Sequence, residues 1–533
     1  QPDSLQTRTQ LANKAREASE AQAAIERSIH RSWAQMESFL GPKETSVAAF
    51  NSLNWTRSGL VEIDLGAGQG IYDSVTNRQV PVETLAVGRS TALPGFGGGY
   101  SRVRFLAENV PATGYKLFAI RPVKEPVASH EKSEKLDEAT AFESPFYAIV
   151  LDPASGSIRS IRDKQLGREL VDGKHPFRFG SYVYVEGADD MPENSLYRYS
   201  AVLHPPQLHA APAANGKLIS ARKTPYGTVL TMEASAPKTP LIQTEITLYE
   251  KERRIGFRYT IRKESVLRKE AAYIAFPFAI DQPRFAYETQ NGWVDPSRDE
   301  LAGGSREWYA VNHWAAVSGE GVVAAIIPSD APLMNFGDIV RGAWPKDFAP
   351  KNATIYSWLM SNYWGTNFAP EQGGEFTFRY DLVTDRKLDP ARLTREGWQA
   401  MTPLESDFVA ATLTPGALPS TEAQLLALNG PNDNPNGNPN IVVVTWKRAE
   451  DGDGSIVRLE EIAGTGSSGR LGSAFWNATE AWRCSVLEEK QSDLPVKDGQ
   501  VSVSLKPFEI QTIRLHTTGK TPEGRKSTVE SAR

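Results

Sequence analysis

The chain has 533 residues, 40% of them hydrophobic and 23% charged, with a formal net charge of −5. That balance lacks the basic footprint of a nucleic-acid binder, and no run approaches the ~18 consecutive apolar residues of a membrane span. One cysteine, Cys484, excludes an intrachain disulfide and a cysteine-based zinc site.

The chain opens at Gln1 on a polar segment with no signal-peptide pattern, as expected of a fragment or a processed product. Residues 4–40 read as the one long helix. Leu11, Ala15, Ala18, Ile25, Ile29, Trp33, Met36 and Leu40 recur at spacings of three, four and seven, and Gly41-Pro42 stops the helix. A lone amphipathic helix cannot bury its own stripe, so a partner is expected elsewhere, the region ahead of Gln1 included. The texture then turns to β. In "SGLVEIDLG", Val61, Ile63 and Leu65 alternate with Glu62 and Asp64, and strand signals continue to about Pro122. Residues 123–140 are polar and charged, a linker.

A long β block follows. "FYAIVLDPASGSIRSIRD" is two strands joined by a turn at residues 152–156. "LIQTEITLYEKERRIGFRYTIR" is a second hairpin, with Ile242, Thr244, Ile246 and Leu248 on one face and Ile255, Phe257, Tyr259 and Ile261 on the facing strand. Its basic residues alternate with these apolar ones, the solvated face of an edge or outer strand. Phe376, Phe378, Tyr380 and Leu382 alternate with Thr377, Arg379 and Asp381, a half-buried strand, whereas residues 362–375 before them have no period and read as a loop. The block runs to about residue 400 and has the length of a large two-sheet assembly. Residues 429–440, "NGPNDNPNGNPN", read as a loop inside a last β block. The expected division is 1–42 helix, 43–122 small β domain, 123–140 linker, 141–402 large β-sandwich, 403–516 C-terminal β domain and 517–533 disordered tail.

Self-contained chemistry is scarce. None of the seven histidines has the i, i+2 or i, i+4 partner of a zinc pair, and His204 and His209 are separated by a proline-rich loop. "EDGDGS", residues 450–455, resembles a calcium loop until Ile456 takes the place of its glycine, and between two strand patterns it reads as a hairpin turn. No nucleophile-elbow, phosphate-loop or dinucleotide-binding motif occurs. Two catalytic carboxylates cannot be identified by spacing alone.

Five stretches, in order, resemble the C-terminal half of glycoside hydrolase family 38, the zinc-dependent α-mannosidases, in its bacterial form: "VAAFNSLNWTRSGLVEIDL", "LDPASGSIRSIRDKQLGRELVDG", "NYWGTNFAPEQGGEFTFRYDL", "TWKRAEDGDGSIVRLEEIAG" and "LKPFEIQTIRL". The resemblance implies a mainly β fold. Its centre is a large antiparallel super-sandwich of galactose mutarotase-like type, flanked by smaller β domains, and the N-terminal helix is the last of a helical bundle. It also implies an enzyme that cleaves α-mannosides in glycans. In that family the zinc ligands and the aspartate nucleophile lie in an N-terminal (β/α) domain. This chain has no H-x-D strand motif, so no catalytic or metal residue carries over, no cofactor is expected in this chain, and the catalytic domain is its expected partner. The family's β loops reach the active-site rim, which makes Asn362, Tyr363, Trp364 and Gln372 in one loop, and Trp293, Arg298 and Asp299 in another, the candidate substrate contacts. Two other readings stay open: a non-catalytic carbohydrate-binding or interaction subunit, and an autonomous mutarotase- or lyase-like sandwich enzyme. A soluble bacterial protein is expected, with its compartment and oligomeric state open.

Overall fold

A computed structural model of the chain describes residues 4–89, 99–123, 140–187, 207–340, 345–363, 371–430 and 437–520. The linker segment 124–139, the loop residues 431–436 and the tail beyond 520 lie outside them. Two compact units emerge, one from residues 1–31 and 130–401, the other from 32–129 and 402–533. No helix among the described residues is long and apolar enough to cross a membrane.

The first unit is built on two large antiparallel sheets. The nine-stranded sheet runs in the order Ala214–Thr224, Gly227–Ala236, Thr239–Tyr249, Arg254–Lys263, Gly374–Asp385, Val322–Pro328, Ala315–Gly319, Arg284–Thr289, Gly292–Val294. The six-stranded sheet runs Leu208–Pro212, Ser181–Gly187, Glu270–Phe278, Ala353–Ser361, Leu333–Phe336, Tyr309–Ala310. Their facing sides share one core that includes Ile246, Phe257, Tyr259, Phe276, Ile355, Tyr380 and Leu382. The expected hairpin is present, with Ile242 opposite Ile261, Thr244 opposite Tyr259, Ile246 opposite Phe257 and Leu248 opposite Ile255. All eight are buried. The basic strand Arg254–Lys263 is fourth of nine and therefore interior, not an edge. Its cations Arg258 and Arg262 stand on the exposed face of a paired strand, a pattern that does not distinguish edge from interior.

Residues 390–401, expected at the end of the β block, form a helix, Pro390–Met401. Asp389 caps it by accepting the Arg392 amide at 3.0 Å, and Pro390 fills the first helical position, where no backbone donor is needed. The helix buries Leu393, which joins Trp314, Ala325 and Val383 in a cluster on the sheet face opposite the main core. This explains why the alternation in Gly374–Asp385 stops at Arg379. From Tyr380 to Thr384 both faces are covered, and every residue is buried.

A small sheet, Ala141–Glu143, Tyr147–Asp152, Ser157–Asp163 and Arg168–Glu169, is fastened to the nine-stranded sheet at Asp163. This fully buried carboxylate accepts the Thr384 hydroxyl at 2.6 Å, the Arg253 guanidinium at 2.7 Å and the Gln165 and Leu166 amides at 2.9 Å. Tyr147 completes the node through Thr384 at 2.8 Å.

In the second unit, Ser46–Asn51 pairs with Gly114–Pro122 on one side and Glu405–Val409 on the other, so sequence-distant segments form one sheet. A four-stranded and a five-stranded sheet make the C-terminal sandwich, closed around Leu459, Leu471, Val501 and Ile513. Ile441–Arg448 and Ser455–Glu461 form the hairpin expected around residues 450–455. Asn54 is buried, donating to the Ile441 carbonyl at 2.9 Å and accepting the Val443 amide at 2.8 Å. The helix Leu5–Leu40 is as long as expected, and its burial is uneven along its length. Trp33 and Leu40 are buried, whereas Leu11 and Ile25 are exposed.

The Asp163 node has a predictable pH signature. Burial alone raises its pKa, but the Thr384 hydroxyl, the Leu166 amide and Arg253 outweigh that and hold it below the usual carboxylate value. A folded-state pKa below the unfolded one gives stability that is complete above about pH 4 and lost as pH falls through the folded pKa. Asp163→Asn should cost about 3–5 kcal/mol at pH 7 by stranding Arg253. In urea melts at pH 7 and pH 3, the variant should lose less stability on acidification than the parent. Parallel losses would show that Asp163 does not carry this linkage.

Candidate functional site

The outer face of the six-stranded sheet is aromatic. Along Glu270–Phe278 and Ala353–Ser361, alternate residues leave the main core and meet as a second cluster with Tyr273, Tyr356, Trp358 and Tyr363. A bulge brings Trp358 opposite Tyr273, and their rings stack at 5.9 Å and 17°. Trp308 meets Trp358 edge-on at 5.7 Å. His175 reaches the Tyr356 hydroxyl at 3.1 Å, and burial pulls its pKa below the ordinary imidazole value. Asn335 lies on this face as well. Its amide donates to the Glu307 carbonyl, while its buried Oδ1 has no partner among the described residues. Tyr273, Tyr356, Trp358 and Tyr363 are all buried, so these rings form a packed layer.

The loop beginning at Asn362 grows from this layer. Asn362 is buried, accepting the Glu270 amide at 2.6 Å and donating to the Val266 and Arg268 carbonyls at 2.9 and 2.8 Å. Tyr363 enters the aromatic cluster 6.5 Å from Trp358. Trp364 lies outside the described residues. On the returning side, Glu371 accepts the Ser265 hydroxyl at 2.6 Å, and a Cβ on Gly373 would stand 2.7 Å from the Ser265 nitrogen. Both roots of the loop are thus fixed to residues 265–268, the connection between the two large sheets. Gln372, next to these roots, is exposed.

Beneath the connection lies a buried ion pair, Lys263–Glu270, whose side chains are 0% and 3% exposed. The Tyr184 hydroxyl donates to the other Glu270 oxygen at 2.7 Å. Burial and that carboxylate both push the Tyr184 pKa upward. Sequence reading missed this network although a signal existed. Lys263 continues the series Ile255, Phe257, Tyr259, Ile261 and so occupies a core-facing register position.

The second candidate loop has a different character. Asp295 anchors a turn by accepting the Ser297 amide at 2.9 Å, and Arg298 pairs with Asp299 at 3.3 Å. Arg298 and Asp299 are exposed. Trp293 is partly buried against the cluster under Pro390–Met401, opposite Glu288 in register. Glu288 bonds His313 at 3.0 Å, and His313 lies against Trp398 with ring centres 5.0 Å apart. The structure therefore brings Asn362 and Tyr363 together inside the fold, and Arg298 and Asp299 together at its surface. Among the described residues no group of three His, Cys, Asp or Glu side chains is placed to hold a metal ion. The exposed Arg298, Asp299 and Gln372 offer a planar donor fork, an acceptor and an amide, a set able to bond sugar hydroxyls.

Comparison with known proteins gives a consistent family. Residues 142–331 match the glycosyl hydrolases family 38 C-terminal domain, and residues 440–513 match the glycosyl hydrolases family 38 C-terminal beta sandwich domain. A glycosyl hydrolase family 38 protein from Enterococcus faecalis superposes with a TM-score of 0.67 at 14% identity, over 91% of this chain and 60% of that one. An alpha-mannosidase from Enterococcus faecalis V583 superposes with a TM-score of 0.64 at 14% identity, over 90% of this chain and 57% of that one. At that identity the likeness establishes a shared fold. The chain spans less than two thirds of either structure. No curated protein matches it.

The Lys263 network generates a stability test. Lys263→Ala should cost about 3–5 kcal/mol because it leaves Glu270 charged and unpaired. The combined Lys263→Met, Glu270→Leu, Tyr184→Phe variant removes both buried charges and the Tyr184 hydroxyl and should lie much closer to the parent. Urea denaturation of both decides it. A triple variant as damaged as the single one would mean that shape, not charge pairing, governs the site.

Proposed function

Since this chain belongs, through its two C-terminal domains, to glycoside hydrolase family 38, we propose that it is the C-terminal β portion of a retaining, zinc-dependent α-mannosidase acting on α-mannosides in glycans. The observation that carries this reading is that both matched domains are the family's C-terminal ones, while the chain covers only 60% and 57% of the two enterococcal structures. The nucleophile, the general acid and the zinc ligands then belong to an N-terminal catalytic domain, the chain's partner. Retention requires a carboxylate pair about 5–5.5 Å apart, and this chain's role is to hold and border that site.

Within this role the two loops divide the work. Asn362 and Tyr363 are structural roots, their polar and aromatic groups committed inside the fold. Arg298, Asp299 and Gln372 are the exposed groups that meet a glycan at the rim, with Trp293 supporting the Arg298–Asp299 loop from below. Trp364 is assigned to the same rim by its place in the loop.

Two measurements test the reading. The chain alone should show no zinc-dependent hydrolysis of an aryl α-mannoside; steady turnover by the pure chain would overturn the division of labour. In a full-length enzyme, Arg298→Ala with Asp299→Ala should raise KM about two- to tenfold, as expected for one or two exposed hydrogen bonds, and leave the melting temperature unchanged. Unaltered kinetics on a mannoside of three or more sugars would remove these residues from the rim.

A further inference from the structure

The C-terminal sandwich carries a cleft of about 570 Å³.

The sandwich cleft opens where the chain crosses between sheets. Lys490–Asp493 belongs to the five-stranded sheet and Val496–Lys497 to the four-stranded one, so Leu494 and Pro495 between them form an apolar wall. Arg470, Arg483, Ser502, Ser504 and Gln511 also line the cleft. Its volume falls within the roughly 300–1,000 Å³ of small-molecule sites.

Gln511 is the informative residue. Its side chain is 2% exposed, and its Oε1 has no hydrogen-bond partner among the described residues. A buried amide oxygen left unpaired is costly, and such groups are satisfied by ligand or water. The charge pattern narrows the ligand class. Arg483 is neutralised by Glu509, which also accepts the Lys506 amide at 2.7 Å. Ser502 and Ser504 are exposed hydroxyls that both donate and accept. An anion has only acceptors and gains nothing from an unpaired carbonyl. A sugar hydroxyl supplies a donor and an acceptor together. We propose that this cleft is a saccharide-binding site for a neutral, hydroxyl-rich glycan segment, separate from the loops assigned to the rim. The inference rests on the cleft and not on the mannosidase reading, so either can fail alone.

The experiment is calorimetric titration of the full chain with α-1,2-linked mannobiose, maltose and sodium sulfate, alongside Ser504→Trp and Gln511→Ala. Saturable binding of either disaccharide should be abolished by Ser504→Trp and weakened at least about fivefold by Gln511→Ala. Ser504 is exposed, so its variant should keep the parent melting temperature and remain informative if Gln511→Ala folds poorly. Binding of sulfate alone, binding of none of the three, or disaccharide binding unchanged by Ser504→Trp would each overturn the proposal.

Discussion

The first unit depends on how the chain passes from its nine-stranded sheet to its six-stranded sheet between Lys263 and Glu270. An ammonium and a carboxylate leave water there, and desolvating either alone would cost several kcal/mol. They are tolerated because they meet each other, and because Tyr184 satisfies the second carboxylate oxygen. Such a pair adds little net stability over an apolar replacement, but it has only one satisfactory geometry. That geometry fixes where the crossing ends, and Asn362 then reads the crossing's backbone through three hydrogen bonds. A loop that must present groups at a surface gains from being anchored this way, since positional precision comes from the rigid shell beneath it.

The aromatic run near residue 360 consequently has three fates. Tyr356, Trp358 and Tyr363 pack as a layer on the outer face of the six-stranded sheet. Phe378, Tyr380 and Leu382 fill the space between the sheets. Among the described residues of the loop that follows, Gln372 is exposed. Aromatic richness alone therefore marks burial here more than recognition, consistent with the large area a buried ring removes from water.

Legibility in the sequence followed the range of the interactions. Alternation set the register of Thr239–Tyr249 against Arg254–Lys263 because one face of each strand is buried. The helix Pro390–Met401 escaped notice although Asp389-Pro390 is a start signal, because its short apolar pattern follows directly on a strand. That helix in turn buries both faces of the preceding strand, which no local period records. The union of Ser46–Asn51 with Glu405–Val409 joins segments more than 350 residues apart, beyond the reach of any local pattern. At the candidate site, Lys263 stood at a visible core position, but its partner Glu270 is set by the fold. The burial of Asn362 likewise depends on a connection nearly a hundred residues earlier.

The helix Leu5–Leu40 shows the same logic from the other side. Ser4 caps it by accepting the Thr7 amide at 3.2 Å, and Gln22–Glu26 at 2.9 Å adds an i, i+4 contact along its exposed face. These local terms are worth a few tenths to about 1 kcal/mol each. In its last turns Trp33 meets Phe50 at 6.4 Å, and Gly41, at φ +48°, ends the helix against Gly416. The Cβ of any other residue at 41 would stand 2.1 Å from the Gly416 nitrogen, so glycine is required by space as well as by dihedral angle. Packing at its C-terminal end therefore adds to helix propensity there, whereas Leu11 and Ile25 are exposed among the described residues. Opening free energy should accordingly rise along the helix from Leu5 toward Trp33, because local stability follows the density of buried contacts.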